Sequence, residues 1–363
     1  MNILHINSEK NWRGGEMQLA YIVRELHGKN THSSVVGKKG SDLEKWCSEN
    51  KIDFYPINLN NPISAAFKIK NLSKKLKIDI LHPQTSKAST ASVLAKYLGA
   101  KSKLLVHRHV AFHVKNNFFS RLKYTSKHVD SLVCVSACSL KTVTDSVGEK
   151  VPLPKVIFPG TDPDRLILKN DANALFEKLG IAHEDPIVIN TSAITEEKDH
   201  ITFVNTAKNS LAEFPNIHFI VAGKGKLLDD IQAHINKLGI EKNVHLLGHI
   251  EDVAPLFDRA KVFLMTSSVE GVPTSIMDAF SSNIPVVTTD SGGTSEVVHH
   301  KKTGMLAPVK ADAELATYIS ELLHNDALYQ HVTTHAKQFY DEHLHYAQMV
   351  KKIYQVYEEI LAE

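Results

Sequence analysis

The chain has 363 residues, is 43% hydrophobic and 23% charged, and carries a formal net charge of +2. At roughly 150 residues per domain, it can build about two domains with cores of their own. No apolar run reaches roughly 18 residues, which excludes a membrane-spanning helix. Three cysteines, Cys47, Cys134 and Cys138, do not make a disulfide framework or a zinc site; they read as small apolar fillers in a reducing compartment.

The small net charge conceals a split. Residues 1–160 hold 21 Lys and 4 Arg against 11 acidic residues, a balance of +14, whereas residues 161–363 hold 17 basic and 29 acidic residues, a balance of −12. A basic half facing an anionic partner, and an acidic half facing something else, account for such an asymmetry.

In chain order, MNILHIN reads as a first strand, since it lacks the basic start and cleavage pattern of a signal peptide. SSVVG, FYPI, DILHP, KLLVHR, SLVCVS and VIFPG are further strands of the first half, with helical stretches such as GEMQLAYIVRELHG and TASVLAKYLGA between them. PIVINTSA, IHFIVAG, NVHLLG, KVFLMTS and IPVVTT repeat the plan in the second half. Strands separated by helices imply parallel βαβ units, hence an α/β protein of two doubly wound domains. VPLPKVIFPGTDPDR places their boundary near residue 160, and HLHYAQMVKKIYQVYEEIL is a long terminal helix.

Doubly wound sheets bind ligands beyond the carboxyl ends of their strands, so the turns after strands are the places to search. Gly14 and Gly15 precede a helix, where free N–H groups and the positive dipole end suit an anion; a tight turn is the alternative reading. GKGKLL after IHFIVAG has two of the three glycines of a dinucleotide fingerprint and no acidic residue at the usual distance. EGVPTSIMDAF, residues 270–280, sets Pro273, Thr274 and Ser275 at a helix start suited to phosphate, flanked by Glu270 and Asp278. Acids beside a bound phosphate make sense as acceptors from sugar hydroxyls.

EGVPTSIMD, IVAGKGKLLDDIQAHINKLGIEKNVHLLGHIEDVAPLF, VVTTDSGGTSEVV and KTGMLAP together resemble a retaining glycosyltransferase of family 4, over nearly the whole chain. The resemblance implies the GT-B fold, two Rossmann-like domains facing a central cleft. It implies an acceptor-side domain over 1–160, a nucleotide-sugar donor domain over 161–340, and a helix over 341–363 that crosses back to the first. The family's Glu-x7-Glu motif falls on Glu270, which would accept from hydroxyls of the transferred sugar, and on Asp278, which would accept from the ribose. Lys198 would pair with the diphosphate, with Thr274 and Ser275 at the helix start beside it. His249 and Ile250 would lie at the base, Gly15 would offer its N–H to the donor, and His109 would stand at the active-site edge.

Two positions depart from the family pattern. Ala193 replaces an Arg that usually accompanies the Lys, so Arg108 or Arg13 would have to assist, and Asp278 is one methylene shorter than the usual Glu. The implied reaction moves a sugar from a nucleotide-diphosphate-sugar, without a metal or other cofactor, to a membrane-associated or envelope-glycan acceptor of the lipopolysaccharide or polysaccharide type. A nucleotide-sugar epimerase on the same fold, or a donor-binding protein without turnover, are the alternatives.

Other clusters have blander readings. Asp162-Pro163-Asp164 has the letters of a metal-binding Asp-x-Asp but the composition of a turn. His107, His109 and His113 lack a ligand spacing and a nearby acid. Residues 110–129 interleave Phe112, Phe118, Phe119 and Tyr124 with Lys115, Arg121, Lys123 and Lys127, and residues 67–77 add five lysines. A solvated helical face is one account of each. With the +14 balance, they point to peripheral docking at the cytoplasmic face of an anionic membrane rather than to nucleic acid, for which no module is present.

Overall fold

The computed structural model describes residues 1–29, 31–115, 117–148, 151–169 and 173–362, which divide into two compact units. The first comprises residues 1–160 and 346–363. In it β1 (Asn2–Ile6), α1 (Gly14–Leu26), β2 (His32–Gly37), α2 (Asp42–Glu49), β3 (Asp53–Pro56), α3 (Pro62–Lys75), β4 (Ile80–Pro83), α4 (Ser86–Tyr97), β5 (Lys103–Arg108), α5 (Phe118–Thr125), β6 (Ser131–Cys134), α6 (Ala137–Val147) and β7 (Pro154–Val156) alternate. The second, residues 161–345, contains α7 (Asn173–Lys178), β8 (Ile187–Asn190), α8 (His200–Ser210), β9 (His218–Ala222), α9 (Leu228–Leu238), β10 (Val244–Gly248), α10 (Ala254–Arg259), β11 (Val262–Met265), α11 (Thr274–Ser281), β12 (Val286–Thr289), β13 (Met305–Ala307), α12 (Asp312–His324) and α13 (Asp326–Phe339). α14 (Tyr346–Ala362) returns to the first unit.

Both sheets are parallel. Among the described residues the first has the order β3-β2-β1-β4-β5-β6-β7 and the second β10-β9-β8-β11-β12-β13. Each order reverses direction once, between β1 and β4 and between β8 and β11, which opens a crevice at the carboxyl ends there. The strands are near-continuous apolar runs because helices cover both faces: Ile187, Val188 and Ile189 are all fully buried, as are Val262, Phe263 and Leu264. Met349, Ile353, Tyr357 and Ile360 of α14 complete one face of the first sheet against Ile3, Ile22, Ile80 and Leu105.

Several boundaries differ from the sequence reading. The last strand of the first sheet is Pro154–Val156 rather than VIFPG: Ile157 N–H reaches Cys134 O at 3.0 Å, but Pro159 has no N–H with which to continue. β13 lies inside KTGMLAP, a short run that carries too little alternation to read as a strand. Residues 341–345 stay with the second unit, not with the terminal helix. A π-type turn over Tyr340–Leu344 interrupts the helix, Tyr340 and Leu344 are buried, Tyr340 OH donates to Thr161 O at 2.7 Å, and Thr161 N–H donates to Leu344 O at 3.0 Å.

Candidate functional site

At the carboxyl ends of the second sheet three loops are fastened to one another. Gly223 and Gly225, after β9, leave no space for a Cβ, which would overlap the carbonyl oxygens of Ser192 and Ile194. The loop after β8 therefore lies directly on the loop after β9, and Ile194 N–H donates to Lys224 O at 3.1 Å. The TEEKD segment is held to the end of β11 by Ser268 N–H on Glu197 O at 2.8 Å and by Thr266 Oγ1 on Asp199 O at 2.9 Å. Asp199, at φ 44°, sits in the left-handed region that a short polar side chain tolerates, and caps α8 through Thr202. Glu270 is clamped in turn: its N–H donates to Ser291 O at 2.7 Å, and its carbonyl accepts from Gly293 N–H at 3.0 Å. A Cβ on Gly293 would overlap Gly271 O, so the GGTSE turn has to be glycine at this contact.

These fastenings bring Lys198 and Glu270 together as an ion pair between Nζ and Oε1, with side chains 21% and 11% exposed. α11 begins one residue after Pro273, which lacks the N–H that a first turn leaves unpaired, and no side chain caps the start. Thr274 and Ser275 are half-buried in that first turn. Asp278, one turn further, is buried and meets Arg165 Nη1 at 3.3 Å through Oδ2, while its Oδ1 is buried without a partner. Burial pushes the Asp278 carboxyl up to about 6, against the pull of Arg165. Arg165 escaped the sequence reading because TDPDR looks like a turn. It is one: Asp162 accepts from Asp164 N–H at 3.1 Å at the head of a 3-10 turn over Pro163–Leu166, but that turn carries Arg165 to Asp278.

Ile250 and the exposed His249 follow Gly248 at the end of β10, and Ala193 is exposed at the end of β8. Beside Lys198, His200 is buried and held down to about 4, mainly by burial and then by the Lys198 charge, with Asp199 opposing. It is therefore neutral at neutral pH. Among the described residues no three His, Cys, Asp or Glu side chains converge in a way that would hold a metal ion.

In the first unit, Gly15 lies in the first turn of α1, where a Cβ would meet nothing within 4 Å. Neither space nor φ demands glycine there, unlike Gly293. Glu16 closes this turn, accepting from Arg13 N–H at 3.0 Å and from Asn7 Nδ2 at 2.7 Å. His109, half-buried just beyond β5, stacks on His107 with ring centroids 4.1 Å apart and is lowered to about 4 by burial. The cluster differs from the His107, His109, His113 group of the sequence. His113 is exposed, and buried His82 and His5 join instead, because alternate residues of β1, β4 and β5 face one side of the sheet. His82 Nε2 lies 3.3 Å from His107 Nδ1, and His82 Nδ1 lies 2.6 Å from Tyr357 OH of α14. The basic segment is not a wholly solvated face: Phe112, Phe118 and Phe119 are exposed, but Lys123 and Tyr124 are buried, Lys123 donating to Ser86 Oγ. Arg108, offered above as a possible aid to the diphosphate, is itself buried, its Nη1 donating to Tyr124 OH at 2.6 Å and its Nη2 to Phe112 O.

Comparisons with known proteins show the family and the fold. The profile described as "Glycosyltransferase Family 4" matches residues 12–165, and that described as "Glycosyl transferases group 1" matches residues 171–339. The chain is 23% identical over 335 residues to the lipopolysaccharide core biosynthesis glycosyltransferase LpsE of Rhizobium meliloti, covering 90% of each chain. It is 22% identical over 351 residues, 93% of each chain, to the GalNAc-alpha-(1->4)-GalNAc-alpha-(1->3)-diNAcBac-PP-undecaprenol alpha-1,4-N-acetyl-D-galactosaminyltransferase of Campylobacter jejuni. Its fold matches that of Anabaena HepE in complex with UDP, with a TM-score of 0.87 at 18% identity, over 99% of this chain and 100% of that one.

Proposed function

We propose that this chain, which belongs to glycosyltransferase family 4 and has the GT-B fold, transfers a sugar with retention from a nucleoside-diphosphate-sugar to a glycan or glycolipid of the cell envelope. The observation that carries this reading is the juxtaposition in the second unit of the Lys198–Glu270 pair, the uncapped start of α11 and the buried Asp278 with a vacant acceptor oxygen. Breaking the bond from the anomeric carbon to the diphosphate builds positive charge on the sugar and negative charge on the leaving group. Lys198 and the N–H groups of Thr274 and Ser275 would take up that negative charge, a task they can perform without a metal. Glu270 would accept from sugar hydroxyls, and Asp278 from the ribose through Oδ1, with Arg165 fixing its other oxygen. Ile250 would border the base. Retention follows a front-face route in which the leaving phosphate helps deprotonate the acceptor hydroxyl.

The relatives named for lipopolysaccharide core and for undecaprenol-linked glycans support an envelope acceptor. The first unit's basic charge supports work at the inner face of an anionic membrane, as do the exposed Ile63 and Phe67 of α3 and Phe118 and Phe119 of α5, two helices that flank α4. No helix among the described residues is long and apolar enough to cross a membrane. Titration of the pure protein with a panel of nucleotide-sugars, followed by assay of hydrolysis and transfer, tests the proposal. Slow donor hydrolysis with release of nucleoside diphosphate is expected. Tight binding with no turnover toward water or any envelope acceptor would make the chain a binder.

A further inference from the structure

We propose that a lysine-lined cavity at the carboxyl edge of the first sheet binds a phosphate group of the acceptor, an inference that rests on the glycosyltransferase function proposed for this chain. The cavity measures about 200 Å³ and lies beyond the ends of β1, β2 and β3, where Glu9, Lys10, Lys38, Asn58, Asn60 and Lys87 line it. That volume suits one charged group or sugar rather than a whole nucleotide-sugar. Lys87 Nζ donates to Asn60 Oδ1 at 2.7 Å, and none of the three ammonium groups has an ion-pair partner among the described residues. Three ammonium groups against the single carboxylate of Glu9 leave two positive charges, which matches a phosphate dianion better than a monocarboxylate. Lysine is well suited to phosphate as a mobile point charge, and the two asparagine amides add neutral donors.

A second observation lies at the first turn of α4. Lys123 donates to the hydroxyl of Ser86, the residue next to Lys87, and is 5% exposed; Arg108, 7% exposed, has a buried Nε without a partner. Neither cation has a carboxylate in ion-pair range among the described residues. Burial, then the charges of Arg108 and Lys115, bring Lys123 down to about 8. Two buried cations without a counter-charge, behind a turn whose N–H groups are free of a side-chain cap, create a positive field that an anion relieves.

The chain's two tryptophans give a local reporter. Trp12 and Trp46 have ring centroids 6.2 Å apart in the first unit, and Trp12 N–H donates to Asp42, whose own N–H donates to Lys10 O. With nucleoside diphosphate saturating the donor site, inorganic diphosphate should change the tryptophan fluorescence saturably, and acetate should not. Lys38→Gln with Lys87→Gln should weaken that binding roughly tenfold while leaving nucleoside diphosphate affinity unchanged. Equal affinity in wild type and variant, or an equal response to acetate, would overturn the proposal. Competition against inorganic diphosphate then identifies the source. A soluble glycosyl phosphate that competes marks a soluble acceptor, and phosphatidylcholine vesicles doped with a polyprenyl diphosphate that compete mark a lipid one. If neither competes, the phosphate does not belong to an acceptor and the inference fails. Loss of nucleoside diphosphate binding in the wild type, with the cavity still titrating, would instead count against the glycosyltransferase reading alone.

Discussion

Lys198 and Glu270, 72 positions apart in the chain, form an ion pair at the carboxyl edge of the second sheet, each on a loop held to a neighbouring one by hydrogen bonds to backbone. On the proposed function, such a pair would exchange partners when the donor binds, the ammonium turning to a diphosphate and the carboxylate to a sugar hydroxyl. Lys198→Ala should weaken nucleoside diphosphate by about tenfold to a hundredfold, with little change for the nucleoside, since a hydrogen bond between charged groups is worth about 1.5–3 kcal/mol. Glu270→Gln should instead lower turnover on the order of a hundredfold with a small change in donor affinity. Calorimetric titration and steady-state kinetics separate the two. Parallel losses for nucleoside and diphosphate in the Lys198 variant would leave that residue an ordinary surface lysine.

Asp278 gives a pH signature. Its carboxyl is raised in the fold from 3.8 to about 6, so its contribution to stability is fully present below pH 3.8 and is lost as the pH rises through 6. Asp278→Asn should therefore stabilise the ligand-free protein at pH 7 by up to about 3 kcal/mol and leave it little changed near pH 3.8. Nucleoside affinity should fall in the same variant. Urea unfolding at the two pH values checks the sign.

Two glycines should part company. Gly293→Ala forces a Cβ onto Gly271 O and should cost about 3 kcal/mol or more, displacing the loop that holds Glu270. Gly15→Ala enters open space in a helix, so stability should hold within about 0.5 kcal/mol. A fall in donor affinity for Gly15→Ala, with an unchanged unfolding midpoint, would mark a ligand contact rather than a turn requirement.

Burial makes the first unit acid-sensitive. His5, fully buried with neither ring nitrogen partnered, is lowered from 6.5 to about 3, so the stability it confers is complete above pH 6.5 and is lost as the pH falls toward 3. His5→Leu should remove about 2 kcal/mol of the loss seen between pH 8 and pH 5, seen as a smaller drop in the urea midpoint. An identical drop in both proteins would mean that the His5 ring protonates in the fold without penalty.

Membrane docking should involve both charge and apolar insertion. Binding to anionic vesicles should fall as salt shortens the screening length from about 10 Å at 0.1 M to about 3 Å at 1 M. Replacing Lys115, Arg121 and Lys127 by Gln should weaken it, and Lys123, being buried, should not contribute by direct contact. Phe118→Ser with Phe119→Ser should reduce the salt-resistant remainder. Equally poor binding to neutral and anionic vesicles at low salt would rule this surface out as a membrane anchor.

The sequence by itself determined the two parallel sheets, because apolar strands of three to six residues alternating with helical periods admit few other arrangements. It also singled out Glu270 and Asp278, whose spacing about a helix start is local, whereas Lys198, 72 positions from Glu270, was marked only by the family resemblance. The tertiary structure decided who meets whom. That Lys198 faces Glu270, that Arg165 leaves a modest turn to reach Asp278, and that His5 and His82 join His107 while His113 stays outside are contacts across tens to hundreds of residues, set by strand order and register. Lys123 shows the same limit from the other side. Its neighbours in sequence are those of a solvated basic helix, and only the packing of α5 on α4 puts its ammonium in the interior, on the hydroxyl of Ser86. One-dimensional charge cannot report burial, because burial depends on what the rest of the chain folds over it.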